Sequence, residues 1–537
     1  MVCLLIAPND SDAAGVTVIT HGFNSDVKGW VTGMAGQIPA YSRFPGTNFT
    51  IYTITLTTDG ANYFSQWSRD AGGSPSLSDS GEIIVKLDWS QMAGTLNIFD
   101  HSIYDISTYA VASIASSVLL QTNSISDLGG HALAEFPIHL IGHSRGGSLI
   151  SELSRRLGTN GVWVDHLTTL DPHPFNNDGN NDRSYLPTSP TDASAANTPA
   201  TVLYADNFWQ DYGTSPLDPN GEPVFGAYVR YLYNVNSNLN GGGYSEPAAA
   251  HSDVHLWYHG TIAWATPTSD TEVSISNAQR QVWWAADEQR GTNSGFEFSL
   301  IGGSNRLSAD QPLGPGFPMI KDGFNQWWDF GAGISGNRAA PTTNNGTWPS
   351  LIKFDRMDTN PVAQGQSIFV KLFYQWARPA TSNATLSVYL DNDWNPLNTN
   401  QNWLWQTNLP GTGASGTGVN AGTFAIPFAV TNAPPGWHSL FARISAGGQT
   451  RYLYAPEKVL VLPSSQPPVL NITRISSSQV QIGVNGLSGQ AIVLQTSSNL
   501  LTWQVLVTNT LSANAWVYTN NPPAGTKARF YRAMLGN

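Results

Sequence analysis

The sequence predicts a doubly wound α/β unit with a mostly parallel sheet, followed by two all-β sandwich domains. Three observations lead there. Over about the first 330 residues, β-branched apolar runs alternate with stretches of helical period. One junction, residues 136–150, reads as a buried strand turning sharply into a helix. After Gly331 the chain becomes Gly- and Asn-rich, and beyond that only short strand patterns separated by turn residues remain. At 537 residues the chain exceeds one core. The expected division is a first domain over 1–330, a linker over 331–349, a sandwich over 350–462, a linker over 463–468 and a small sandwich over 469–537.

Composition narrows the class. Hydrophobic residues make up 41%, enough for ordinary cores, while charged residues make up only 12%, about half the usual share. Ser, Thr, Asn and Gly fill the surface instead, the habit of secreted or cell-surface bacterial proteins, and that localisation is expected. The net charge of -12 and the lack of any basic block argue against a nucleic-acid partner. The single cysteine, Cys3, excludes an internal disulfide framework and a Cys-based metal site. No apolar run reaches the ~20 residues of a membrane-spanning helix. Val2 to Ala7 lacks a basic start and is too short for a signal peptide, so an export signal is expected to have been removed or to lie upstream.

Val16 to Thr20 reads as a buried strand running into His21-Gly22-Phe23-Asn24. Asn48 to Leu56 and Glu82 to Trp89 read as further strands, with a polar surface loop over Thr57 to Ser80 between them. Ile103 to Leu120 carries apolar residues at helical spacing. Then comes Gly142-His143-Ser144-Arg145-Gly146 between an apolar run and a helical stretch ending near Gly158. A chance G-x-S-x-G is common in a chain with 51 glycines; the strand before it and the helix after it give it meaning. Such a turn exposes the Ser144 hydroxyl at its tip, with the N–H of Arg145 at a helix N-terminus to meet an oxyanion.

An acid and a histidine are then required. Val162 to Leu170 reads as a strand ending in Asp171-Pro172, and an acid at that place holds a catalytic histidine in its working tautomer. Asp206, ending the run Val202 to Asp206, is a rival. His251 follows a polar loop and is the expected base, on a loop just before a helix. His255 and His259 fall behind it at helical spacing, which suggests packing; a three-histidine metal face is a minor alternative without H-E-x-x-H. Asn176 to Asp182 alternates oxygen side chains around Gly179, first a polar turn cluster and second a candidate structural Ca²⁺ loop. The stretch to Ala200 reads as a long loop over the mouth of the site.

Thr20-His21-Gly22-Phe23, Asp88-Trp89, the G-H-S-R-G elbow, Leu170-Asp171-Pro172 and His251 with Trp257-Tyr258 occur in one order. Together they resemble the α/β-hydrolase lipases and esterases, in particular the pancreatic-lipase type, over residues 14 to 305. The resemblance implies Ser144, Asp171 and His251 as the triad, Phe23 and Arg145 as oxyanion N–H donors, and no required cofactor. Arg145 stands where that group has an apolar residue, the animal enzymes' disulfides are absent, and the segment from acid to histidine is built differently.

Gln279 to Glu288 suggests a helix and Gly295 to Leu300 a strand, still within the first domain. Ser367 to Gln375, Ala384 to Leu390, Gly422 to Val430 and Trp437 to Ser445 read as strands of the larger sandwich. Gln479 to Val484, Ala491 to Gln495, Gln504 to Val507 and Ala528 to Ala533 read as strands of the smaller one, which resembles the fibronectin-type sandwiches appended to secreted bacterial enzymes. Trp394, Trp403, Trp405 and Trp437 fill cores or, if exposed, stack on sugars or meet membranes; Asp391-Asn392-Asp393 reads as a hairpin turn before a Ca²⁺ ligand set. The function expected is a serine carboxylic ester hydrolase, a lipase or esterase. The alternatives are a polysaccharide-acyl esterase anchored by its β-modules, and a non-catalytic carbohydrate-binding or adhesion protein.

Overall fold

The computed structural model describes chiefly residues 15–41, 49–75, 83–97, 99–173, 198–213, 220–232, 243–262 and 348–536, with short gaps. The first half is organised by one eight-stranded sheet. Its strands are β1 (Val16–Thr20), β2 (Thr50–Thr58), β3 (Tyr63–Ala71), β4 (Ile83–Asp88), β5 (Ile138–His143), β6 (Val164–Leu170), β7 (Val202–Trp209) and β8 (Tyr228–Tyr231). Their order across the sheet is β3-β2-β4-β1-β5-β6-β7-β8. Every neighbouring pair is parallel except β2 and β3, an antiparallel hairpin. The central strands β1, β5 and β6 are buried along their whole length, β1 as a run of Val, Ile and Thr, and β5 and β6 with His139, Asp165 and His166 buried among apolar residues.

Four α-helices lie among the described residues: α1 (Trp30–Tyr41), α2 (Thr108–Leu120), α3 (Arg145–Thr159) and α4 (Ala249–Ile262). α2 and α3 pack with Val18, Val85 and Leu140, whereas α1 and α4 pack with Ile19, Ile84 and Ile141. α2 opens on Ser107, whose side chain accepts from the Ala110 N–H, so the helix starts five residues later than Ile103.

The expected doubly wound α/β-hydrolase fold with two C-terminal sandwiches is therefore corrected. Among the described residues the sheet is mixed, helices are few and β-strands predominate. Where a polar surface loop was expected over Thr57 to Ser80, β3 pairs along β2 from Tyr63 to Ala71. Its residues are almost all exposed, so an edge strand there needs no apolar pattern to mark it. Residues 350–462 form a six-stranded and a three-stranded sheet around one core, and residues 469–535 form two more three-stranded sheets.

The larger β unit is built onto the first half. Trp348, Trp394, Phe441, Tyr452 and Tyr454 join the same apolar cluster as β1, β4 and β5. Arg451 lies 3% exposed at the contact. Its Nη1 donates to the carbonyls of Ala134 (2.7 Å) and Phe136 (2.8 Å), and its Nη2 to that of Trp163 (3.0 Å). Trp163 Nε1 donates to Gln375 Oε1 at 2.7 Å, and Asn395 Nδ2 to the Pro75 carbonyl at 2.7 Å. Trp394 is thus buried and Trp405 packs on Phe424, while Trp403 is exposed. Asp393 Oδ2 accepts from the side-chain amides of Asn398 and Asn400, closing the turn at 391–393 on itself. Among the described residues, no helix is long and apolar enough to cross a membrane.

Candidate active site

The turn from β5 into α3 carries Ser144 with φ 57° and ψ −128°, a conformation residues with side chains rarely hold. The surrounding packing enforces it. A Cβ on Gly142 would lie 2.4 Å from the Gly146 carbonyl oxygen, so strand and helix meet at a distance only glycine permits. The Ser144 N–H donates to the Leu170 carbonyl at 2.9 Å, tying the elbow to the end of β6.

One residue beyond Leu170, Asp171 is wholly buried with φ 44°, and its own N–H donates to the Phe208 carbonyl at 2.7 Å. Its Oδ2 lies 2.5 Å from His251 Nδ1. Gln210 supplies two further donors, its backbone N–H to Oδ1 (2.9 Å) and its Nε2 to Oδ2 (2.7 Å). Such bonds give both carboxylate oxygens partners and hold them aimed at the ring. Nothing in the local sequence marks Gln210; it matters because β7 ends beside β6.

His251 is the third residue of α4 and 7% exposed, not on the loop expected before a helix. Its burial first, with His173 and His255 adding, holds the imidazole below its ordinary range. A neutral ring that donates from Nδ1 to Asp171 carries its lone pair on Nε2, as a general base must. His143, the residue before Ser144, donates from Nε2 to the His251 carbonyl at 2.9 Å, with ring centroids 4.4 Å apart. The end of β5 and the start of α4 are thereby held together.

His255 stacks on Trp30 at 4.6 Å and meets His143 edge-on at 4.8 Å, so it packs beneath the site. Asp206 pairs with His166 at 3.0 Å and with Thr168 Oγ1 at 2.6 Å. The sequence suggested a strand ending at Asp206, but β7 runs on to Trp209, which leaves Asp206 inside the sheet and brings Gln210 to the site.

The β1 end closes the other side. A Cβ on Gly22 would lie 2.6 Å from Ser144 Cβ and 3.0 Å from its Oγ, so only glycine fits beside the serine. Phe23 follows, its ring against Gly94, and Asn24 N–H donates to the Gly94 carbonyl at 3.2 Å. Arg145 opens α3, and its side chain turns away to become a buried strut, 2% exposed. Nη1 donates to the Ala93 carbonyl (3.0 Å) and Asp105 Oδ1 (2.8 Å), and Nη2 to the Ile106 carbonyl (3.0 Å). The guanidinium also lies 5.5 Å from the Trp89 ring centroid. That accounts for an arginine at a position expected to be apolar.

The 176–182 cluster, most of the 331–349 linker, and all but one residue each of the 279–288 helix (Trp283, helical and buried) and of the 295–300 strand lie outside the described residues. Among those described, no three His, Cys, Asp or Glu side chains are grouped to hold a metal.

No family model matches this chain, and no curated protein does. Among solved structures, a superoxide reductase (neelaredoxin) from Ignicoccus hospitalis is similar over 21% of this chain and 82% of its own, at 13% identity and a TM-score of 0.15. A likeness that slight bears on neither fold nor activity.

Proposed function

We propose that the chain is a serine hydrolase of carboxylic esters, of the lipase and esterase kind, working outside the cell. The observation that carries this reading is the Asp171 Oδ2–His251 Nδ1 contact of 2.5 Å, beside a serine held in a positive-φ elbow. The likeness of its ordered motifs to the pancreatic-lipase type supports it as well.

In this reading the Ser144 hydroxyl proton passes to His251 Nε2 as Oγ bonds to the ester carbonyl carbon. Negative charge gathers on the former carbonyl oxygen, which the N–H groups of Phe23 and Arg145 and the N-terminal end of α3 stabilise. The carbon–oxygen bond to the alcohol breaks, and His251 returns its proton to the leaving oxygen. Water then repeats the sequence on the acyl-enzyme, giving the acid and free Ser144. Asp171 holds the ring and stabilises its cationic form. No metal or organic cofactor takes part.

The test is hydrolysis of p-nitrophenyl esters of increasing chain length by the full chain and by Ser144→Ala. A loss of about 10³-fold or more in the variant supports the reading. Equal rates in the two proteins, or no turnover of any ester by the intact chain, would overturn it.

A further inference from the structure

A cleft of about 610 Å³ opens one residue past Phe23, lined by Asn24, Ser25, Asp26, Ser90, Gln91 and Ser102 with Gly94 and Ile103. We propose that this cleft receives the hydroxyl-rich alcohol half of the ester, a sugar or comparable polyol, rather than its acyl chain. The inference rests on the ester hydrolase reading and names the substrate class of that site.

The lining carries the argument. Among the described lining residues Ile103 is the only large apolar side chain, so a hydrocarbon chain gains little from them and would leave polar groups dehydrated. The chemistry is that of neutral hydrogen bonding. Asn24 Oδ1 already accepts from Thr95 Oγ1 (2.9 Å) and from the Leu96 N–H (3.2 Å). Gln91 Oε1 accepts from the Thr58 N–H at 3.0 Å. Both amides therefore offer a ligand their NH₂ groups. Ser102 Oγ donates to Asp100 Oδ1 at 2.6 Å, which leaves it as an acceptor. Amide donors, hydroxyls and the Asp26 carboxylate together match a ligand whose every group both donates and accepts.

Charge excludes the competing polar ligands. None of the described lining residues is Lys, Arg or His, so a phosphate or carboxylate headgroup meets no cation among them. Lys28, two residues on, is bound to Asp26 itself at 3.5 Å.

Position ties the cleft to the chemistry. Its lining residue Asn24 continues the Gly22–Phe23 turn that touches Ser144, and Gly94, Ser102 and Ile103 form another wall. Arg145, next to Ser144, grips that wall on either side through Ala93, Asp105 and Ile106. The residue that begins α3 behind the nucleophile thus also sets the shape of the cleft.

The experiment compares two acetates on the full chain, 6-O-acetylglucose and p-nitrophenyl acetate. The variants are Gln91→Leu, which removes an amide, and Ser102→Trp, an exposed-loop change that fills the cleft. The expected result is a fall of about tenfold or more in kcat/KM for the sugar ester in both variants, chiefly through KM, while in Gln91→Leu the aryl ester, which brings no hydroxyl groups to the cleft, stays within about twofold of wild type. If both substrates fall together in Gln91→Leu, or if the sugar ester is unchanged in Ser102→Trp, the cleft is not a hydroxyl-binding alcohol subsite and the proposal is overturned. If the intact chain turns over neither these acetates nor any longer p-nitrophenyl ester, the hydrolase reading fails separately. The cleft is then judged by saturation-transfer NMR with methyl glucoside: a wild-type signal lost in Ser102→Trp upholds a hydroxyl-binding cleft, and no wild-type signal rejects it.

Discussion

His251 Nδ1 and Asp171 Oδ2 lie 2.5 Å apart although 80 residues separate them in the chain. The sheet makes this meeting. Asp171 leaves the end of β6 and His251 enters at the start of α4, while His143 at the end of β5 grips the backbone of His251. Replacing Asp171 with Asn keeps the shape but reverses the polarity of one partner, which favours the wrong histidine tautomer. Asp171→Asn is expected to lower kcat on a soluble ester by about 10⁴-fold with little change in fold. Steady-state kinetics beside a circular dichroism melt check it; a loss below about tenfold contradicts the assignment.

Gly22→Ala tests the approach of the β1 turn to the nucleophile. Its new methyl would meet Ser144 Cβ at 2.6 Å, so turn or elbow must move. A shift of that size beside the reacting atoms costs on the order of 10²-fold in kcat/KM. Kinetics on the same ester would show it, and wild-type rates in Gly22→Ala would mean that the serine is not confined there.

Two buried groups set opposite pH limits on stability. The His251 value is lowered by burial, so the unfolded chain takes up its proton near the ordinary value of about 6.5 while the fold resists. Stability from this group is full above about 6.5 and is lost as the pH falls below it. Asp391, buried and bonded to Tyr454 at 2.6 Å, is raised from 3.8 to about 7 by burial, with Asp393 adding. Its contribution is full below the unfolded value of 3.8 and is lost as the pH rises through about 7. Urea midpoints across this range are expected to rise at the alkaline end in Asp391→Asn, and at the acid end in His251→Gln. The acid limb of kcat/KM is expected below about 6.5, and a limb above it would contradict the burial of His251.

Arg451 ties the larger β unit to the first half. Arg451→Ala leaves the buried carbonyls of Ala134, Phe136 and Trp163 without their guanidinium donor. The expected cost is about 3 kcal/mol, read as a lowered urea midpoint in one shared transition. An unchanged midpoint would show that the contact adds nothing to stability.

What the sequence made legible was local. Gly142 to Gly146 announced its turn because strand, glycines and helix are contiguous, and the structure brings Ser144, Asp171 and His251 into one region. The sheet was less legible. β3 hides because an edge strand that faces water carries polar residues such as Ser65, Gln66 and Ser68. Gln210 and the Arg145 strut were invisible for another reason: their partners lie 39 and 40 residues away, and no spacing rule relates them. The joint at Arg451 spans 288 to 317 residues, so the C-terminal half read as separate sandwiches although it shares an apolar cluster with the sheet.

The most direct test of the central claim is covalent. The full chain is treated with a fluorophosphonate, which bonds only to an activated serine oxygen, and its peptides are weighed by mass spectrometry. A single adduct on the peptide holding Ser144, lost in His251→Ala, is the result expected of the proposed hydrolase. A folded wild-type chain that takes up no adduct at Ser144, or takes it up equally with and without His251, would contradict it.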